Sequence, residues 1–145
     1  MISIVTNFSH YIMPHPNLRV LGPNIRFFVQ HNAKGLTEQG GSRSPGGEMA
    51  ELRAWVIAKL LWNPSLDAEE LINEFIEGYY VAAGPHIKAY LKLTHDAVEA
   101  SGEWLGGNSP HTARFLSYSV LSRALTHLRA RGTSYTRQVV DGASK

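Results

Sequence analysis

The sequence predicts a mainly helical chain headed by two short strands, and three observations carry that expectation. Residues 2–8 (Ile-Ser-Ile-Val-Thr-Asn-Phe) concentrate β-branched and aromatic types, the composition of a strand. Residues 33–39 form a second run of strand length. From residue 48 onward, apolar side chains return at helical intervals in four segments. The 145 residues, 43% of them hydrophobic, suit one ordinary domain. They fall short of the roughly 200 residues that a complete (β/α)₈ barrel requires. The absence of cysteine excludes a disulfide scaffold, a Cys-ligated zinc site, an iron–sulfur cluster and a cysteine nucleophile.

Each element has its own local reason. An irregular loop marked by Pro14, Pro16 and Asn17 follows the first strand. Gly22-Pro23 is expected to open a short helix, because proline in a first turn forfeits no hydrogen bond. Ile25, Phe28 and Val29 supply its apolar face and Asn32 its stop. The second strand is expected to be buried and brief. Residues 40–47 (Gly-Gly-Ser-Arg-Ser-Pro-Gly-Gly) form a flexible βα loop. The helix over 48–62 is apolar around most of its circumference, which predicts burial on more than one side, and Asn63-Pro64 ends it. For the helix over 66–80, Asp67 is the N-cap, with Glu70 three residues on and Leu66 and Leu71 placed as a hydrophobic staple. Gly84-Pro85 starts another helix, with Ile87, Tyr90, Leu91, Thr94 and Val98 on one face and Gly102 as its close. Ser117 caps a last helix built on Val120, Leu121, Ala124, Leu125 and Leu128, with Gly132 as stop, and residues 133–145 are expected to be disordered. Two strands alone do not make a stable sheet, and they leave its edges open.

Charge and ends narrow the function classes. Residues 1–110 carry 8 basic and 11 acidic side chains, a net of −3, whereas residues 111–145 carry 6 and 1, a net of +5. The arginines of that tail are spaced out and lack aromatic interleaving, so no nucleic-acid partner is expected. No apolar run reaches the ~20 residues of a spanning helix, so no membrane partner is expected. The amino terminus has neither a basic n-region nor a long h-region, which makes the chain cytoplasmic as it stands; an exported parent family is compatible with that.

The motifs exclude more than they assign. The Gly-rich loop lacks the G-x-x-x-x-G-K-[ST] ending, and Glu48 follows it where a phosphate cradle needs no acid. The seven histidines form no ligand pattern, so neither metal nor cofactor is expected. No G-x-S-x-G elbow supports a serine triad. Glycoside hydrolysis needs two carboxylates. Only Glu38 stands at a strand end; Glu48 and Glu51 are expected to be solvated. Among the aromatics, Trp55, Trp62 and Tyr79 fall on core-like faces, whereas Tyr11, beside Asn7 and His10, forms the cluster best placed to face a ligand.

Several collinear segments point to a family. Asn7-Phe-Ser-His-Tyr11 and Pro16-Asn-Leu-Arg-Val-Leu-Gly-Pro-Asn-Ile-Arg-Phe-Phe28 come first, followed by Lys34-Gly-Leu-Thr-Glu-Gln-Gly40, the run from Gly47 to Pro64, and Glu74-Phe-Ile-Glu-Gly-Tyr-Tyr80. Over roughly residues 5–130 they resemble the bacterial family named domain of unknown function 4838. The resemblance implies an α/β architecture: the last two βα units of a TIM-type, glycoside-hydrolase-like barrel over 1–62, a helical extension over 63–132 and a tail over 133–145. It further implies a truncated carboxyl-terminal portion of a carbohydrate-related protein, inactive alone, with Glu38, Asn7, Tyr11, His10 and Arg43 toward the sugar. Its partners would then be carbohydrate and either the missing amino-terminal part of the barrel or a second copy. The alternative reading is an autonomous helical interaction module without catalysis.

Overall fold

The computed structural model describes residues 2–41 and 46–129. Arg43, Gly132 and the segment 133–145, each the subject of an expectation above, lie outside them. The described elements run β1 (Ile2–Ile4), α1 (Leu18–Gln30), β2 (Thr37–Gln39), α2 (Ala50–Trp62), α3 (Ala68–Phe75), α4 (Gly84–Ser101) and a last helix, α5, over 118–129. Helix accounts for 61% and strand for 4%, so the chain is mainly α.

The core gathers around α2, whose Leu52, Val56 and Leu60 are fully buried. Leu18, Leu21 and Ile25 of α1, Leu71 of α3, and Ile87, Tyr90 and Leu91 of α4 close on them. Ala124 of α5 and Val5 beyond β1 belong to the same cluster, so residues on both sides of position 63 share one core. Each large aliphatic side chain buried there contributes about 1.5–3 kcal/mol. The expectation that α2 is wrapped on several sides holds for Leu52, Arg53, Val56, Ile57 and Leu60. It fails for Trp62, which is 92% exposed; Tyr79, in the later segment over 66–80 and likewise assigned to packing from its spacing, is exposed as well.

The first helix begins four residues earlier than Gly22-Pro23 suggests, and Pro23 sits inside it. The start is set from outside the helix. The Leu18 N–H donates to His95 Nε2 of α4 at 3.0 Å, and His95 Nδ1 lies 2.8 Å from the Leu91 carbonyl. These partners assign the neutral tautomer with the proton on Nδ1. With the start at Leu18, the buried stripe is Leu18, Leu21, Gly22 and Ile25, while Val29 is exposed. Gly22 lets α1 approach α3, since a Cβ there would lie 3.1 Å from the Ala68 Cβ. Asn32 ends the helix at φ 58, and the Ala33 N–H reaches back to the Phe28 carbonyl at 3.0 Å.

Asp67 caps α3 as expected, accepting from the Glu69 and Glu70 N–H groups at 2.7 and 3.0 Å. The helix then widens into a π-turn over Ile76–Tyr80 and tightens into a 3₁₀ turn over Val81–Ala83, which leads directly into α4. Val81 holds φ 45 and ψ −116, a region that excludes β-branched side chains by sterics. Gly102 closes α4 at φ 65, and the Ser117 hydroxyl accepts the Val120 N–H at the start of α5.

Both strands are shorter than expected. β1 and β2 pair in parallel, with Ile2 opposite Thr37, Ser3 opposite Glu38 and Ile4 opposite Gln39. The Val5 N–H adds a bond to the Gln39 carbonyl before the chain turns away. β2 is not buried: Thr37 and Gln39 are exposed, because no element among the described residues covers that face.

Candidate functional site

Parallel pairing puts the loops that follow β1 and β2 at the same end of the sheet, and Tyr11 joins them. Its ring covers Gly41, where an added Cβ would come within 3.0 Å of it, and its carbonyl accepts the Glu48 N–H at 2.8 Å. Phe8 meets the same ring edge to face at 6.2 Å. His10 is exposed and stands edge-on to His111, 5.7 Å away. Asn7, by contrast, is 1% exposed. Its Nδ2 donates to the Ser109 carbonyl at 2.8 Å and its Oδ1 accepts the Ser9 N–H at 3.0 Å. That side chain ties the first loop to the segment after α4.

Glu38 is placed by the register. It shares a face with Ser3, and therefore with Val5 two residues on, which packs into the helical core. Its carboxyl accordingly turns toward the helices, away from Thr37 and Gln39. The Ser3 hydroxyl hydrogen-bonds to it, but burial dominates and pushes its pKa above the usual carboxylate range. Glu38 borders two cavities, neither of them lined by Asn7, His10 or Tyr11. The structure thus brings Tyr11 to the second loop, whose Gly41 and Gly47 border one of the two Glu38 cavities. Arg43 lies outside the described residues.

A buried polar network escaped the sequence reading. Arg53 is 5% exposed. Its Nε donates to Asn17 Oδ1 at 2.9 Å, its Nη1 to the Glu48 carbonyl at 2.7 Å, and its Nη2 to Glu48 Oε2 at 2.9 Å and the His15 carbonyl at 3.1 Å. Tyr90 donates its hydroxyl to Glu48 Oε1 at 2.9 Å, and Asn17 Nδ2 donates to the Val5 carbonyl at 3.2 Å. Glu48, expected in solvent, is therefore enclosed, its side chain 8% exposed, because Arg53 and Tyr90 together compensate its desolvation. Desolvation, with the Glu48 charge and hydrogen bond, drives the Tyr90 hydroxyl far above its ordinary pKa. Burial, reinforced by the nearby Arg53 charge, lowers His15 to about 4. One signal was present in the sequence: Arg53 occupies the same helical stripe as Val56, Ile57 and Leu60, where an arginine has no solvent to reach.

The profile of the family described as Domain of unknown function (DUF4838) matches residues 2–92. The chain belongs to that family. The DUF4838 match ends inside α4 and so is shorter than the span of resemblance expected from the motifs. It nonetheless contains β1, β2, Tyr11 and every residue of the Arg53 network. The Ser109 contact of Asn7 lies beyond it. Comparison with curated proteins and with solved structures returned no match. Among the described residues, no three His, Asp or Glu side chains converge on a possible metal position, and no helix is long and apolar enough to cross a membrane.

Proposed function

We propose that this chain is the carboxyl-terminal portion of a glycoside-hydrolase-like, carbohydrate-related protein and is inactive by itself. The observation that supports this reading is the sheet: two parallel three-residue strands joined by a helix, with Thr37 and Gln39 left in solvent. Parallel sheets are otherwise covered on both faces and continued at their edges. In this reading, a preceding barrel segment or a second copy supplies the remaining strands. Tyr11, His10 and Arg43 then border a sugar at the loop end, Asn7 anchors their loop, and the acid and base come from strands other than β1 and β2. Glu38 supports the sheet from its helical side.

The test supplies the chain with the amino-terminal barrel segment of a longer DUF4838 protein, in fusion or in trans. Turnover of a panel of aryl glycosides is then measured. The chain alone is expected to be inactive and the reconstituted pair active, with Tyr11→Ala lowering kcat/KM. Turnover by the 145-residue chain alone would falsify the proposal, as would a failure of the two parts to associate.

A further inference from the structure

Two histidines far apart in sequence stand together on the surface. His10, in the loop after β1, and His111, in the segment after α4, have ring centroids 5.7 Å apart and ring planes at 84°. Both residues are exposed. The backbone beneath them builds this proximity. The Phe8 N–H donates to the Gly107 carbonyl at 2.7 Å, Asn7 Nδ2 to the Ser109 carbonyl at 2.8 Å, and the Ser9 hydroxyl to Asn108 Oδ1 at 3.1 Å. Residues 7–9 and 107–109 are thereby fastened side by side. Each histidine then stands in a hydrogen-bonded turn. One is closed by the Met13 N–H on the His10 carbonyl at 3.0 Å, the other by the Ala113 N–H on the Pro110 carbonyl at 3.1 Å. The two imidazoles are thus carried on loops already tied to one another.

A pair of imidazoles offers two nitrogen donors, ligands that suit zinc, nickel and copper(II). The spacing fits a shared ion. A metal–nitrogen bond of about 2.0–2.1 Å along the ring axis places an imidazole centroid about 3.2 Å from the metal, so two ligands at tetrahedral to linear angles hold their centroids roughly 5–6.4 Å apart. The observed 5.7 Å lies inside that range. Ligation replaces the edge-to-face contact with one nitrogen of each ring turned to a common point, and exposed side chains turn about their bonds within nanoseconds. Among the described residues no third His, Asp or Glu joins the pair. Water therefore completes the coordination, and the carboxylate oxygens that calcium or magnesium needs are missing. The DUF4838 match ends at residue 92, so it includes His10 and not His111. The pair is a feature of this chain beyond the matched region.

We propose that His10 and His111 together bind a divalent transition-metal ion of the zinc, nickel and copper class. The ion clips the loop that carries Tyr11 to the segment after α4, closing a long stretch of chain. The site needs no barrel partner, so it stands or falls independently of the reading above. The untagged full chain is titrated calorimetrically with Zn²⁺ and with Ni²⁺ near neutral pH, and its Tm is followed with and without each ion. One equivalent should bind and raise the Tm. His10→Ala and His111→Ala should each weaken binding by about tenfold or more, because the second imidazole acts within the same molecule. Each should also abolish the rise in Tm. His31→Ala, which removes an exposed imidazole lying against Phe27, leaves both readouts unchanged. Mg²⁺ in the same titration gives no saturable heat. Circular dichroism of the variants checks that they fold. Two results overturn the proposal: no saturable binding of Zn²⁺ or Ni²⁺ up to about 1 mM, or undiminished affinity in folded His10→Ala or His111→Ala, which would mean an adventitious ion only.

Discussion

The helical body and the two-stranded sheet treat buried polar groups in opposite ways. Within the body, Arg53 directs its guanidinium to four acceptors, and Glu48 meets both Arg53 and Tyr90. Beside the sheet, Glu38 and His15 each keep a buried atom without a partner, and β2 leaves alternate side chains in water. The difference teaches that completeness is local. Helices satisfy their own backbone and need only a covered stripe, whereas a strand needs neighbours at both edges and cover on both faces. The helices match their buried polar groups with partners, and the two short strands do not.

The comparison breaks most visibly at Arg53. Arg53→Met leaves the buried Glu48 without its cation and is expected to cost about 3–5 kcal/mol, read as a fall in the urea midpoint. In the double variant with Glu48→Gln a large part of that loss should return. A single-variant cost below about 1 kcal/mol would mean that the network does not hold the body together.

Acid attacks the same boundary. His15 has a folded pKa of about 4 against an ordinary 6.5, so the folded chain binds this proton more weakly than the unfolded one. Its contribution is complete above pH 6.5 and is lost as pH falls from 6.5 toward 4, by up to about 3 kcal/mol. Urea midpoints measured across that window should decline, and His15→Asn should flatten the decline. A midpoint that does not move between pH 7 and pH 4.5 would show that His15 is solvated.

A smaller effect lies within the body itself, at the turn between α3 and α4. Val81→Gly relieves a β-branched residue at φ 45 and should raise stability by about 1 kcal/mol, the steric relief exceeding glycine's extra chain entropy. A lowered Tm would contradict this. The least effect is expected at the sheet. Glu38→Gln removes a carboxylate whose folded pKa is raised, so the variant should be more stable at neutral pH by a few tenths of a kcal/mol after solvent screening. The gain should vanish as pH falls through the folded pKa, because protonation relieves the same penalty; a gain that persists at pH 3 would count against burial as its cause.

What could be read from the sequence depended on how local the cause was. The caps at Asp67 and Ser117, the stops at Asn32 and Gly102 and the helical start at Gly84 were all visible, because each rests on residues within a turn of one another. The start of α1 was not, since its first N–H is satisfied by His95, 77 positions away. The candidate site divided along the same line. Spacing groups Tyr11 with Asn7 and His10, and only the packing shows that its ring covers Gly41 of the Gly-rich loop. The family resemblance groups Asn7 and Glu38 with Tyr11 at one mouth, whereas Asn7 points inward to Ser109 and Glu38 turns to the helices.

By itself, then, the sequence determined the family, the helical content and most helix ends: collinear motifs, apolar spacing and capping chemistry are all properties of short stretches of chain. Only the tertiary structure decided which polar side chains are buried and what they meet. Arg53, Glu48 and Tyr90 lie on three separate stretches, and an arginine, a glutamate and a tyrosine apart in sequence carry no mark of their meeting. Desolvation is a property of the surroundings, and the surroundings exist only once the helices have packed.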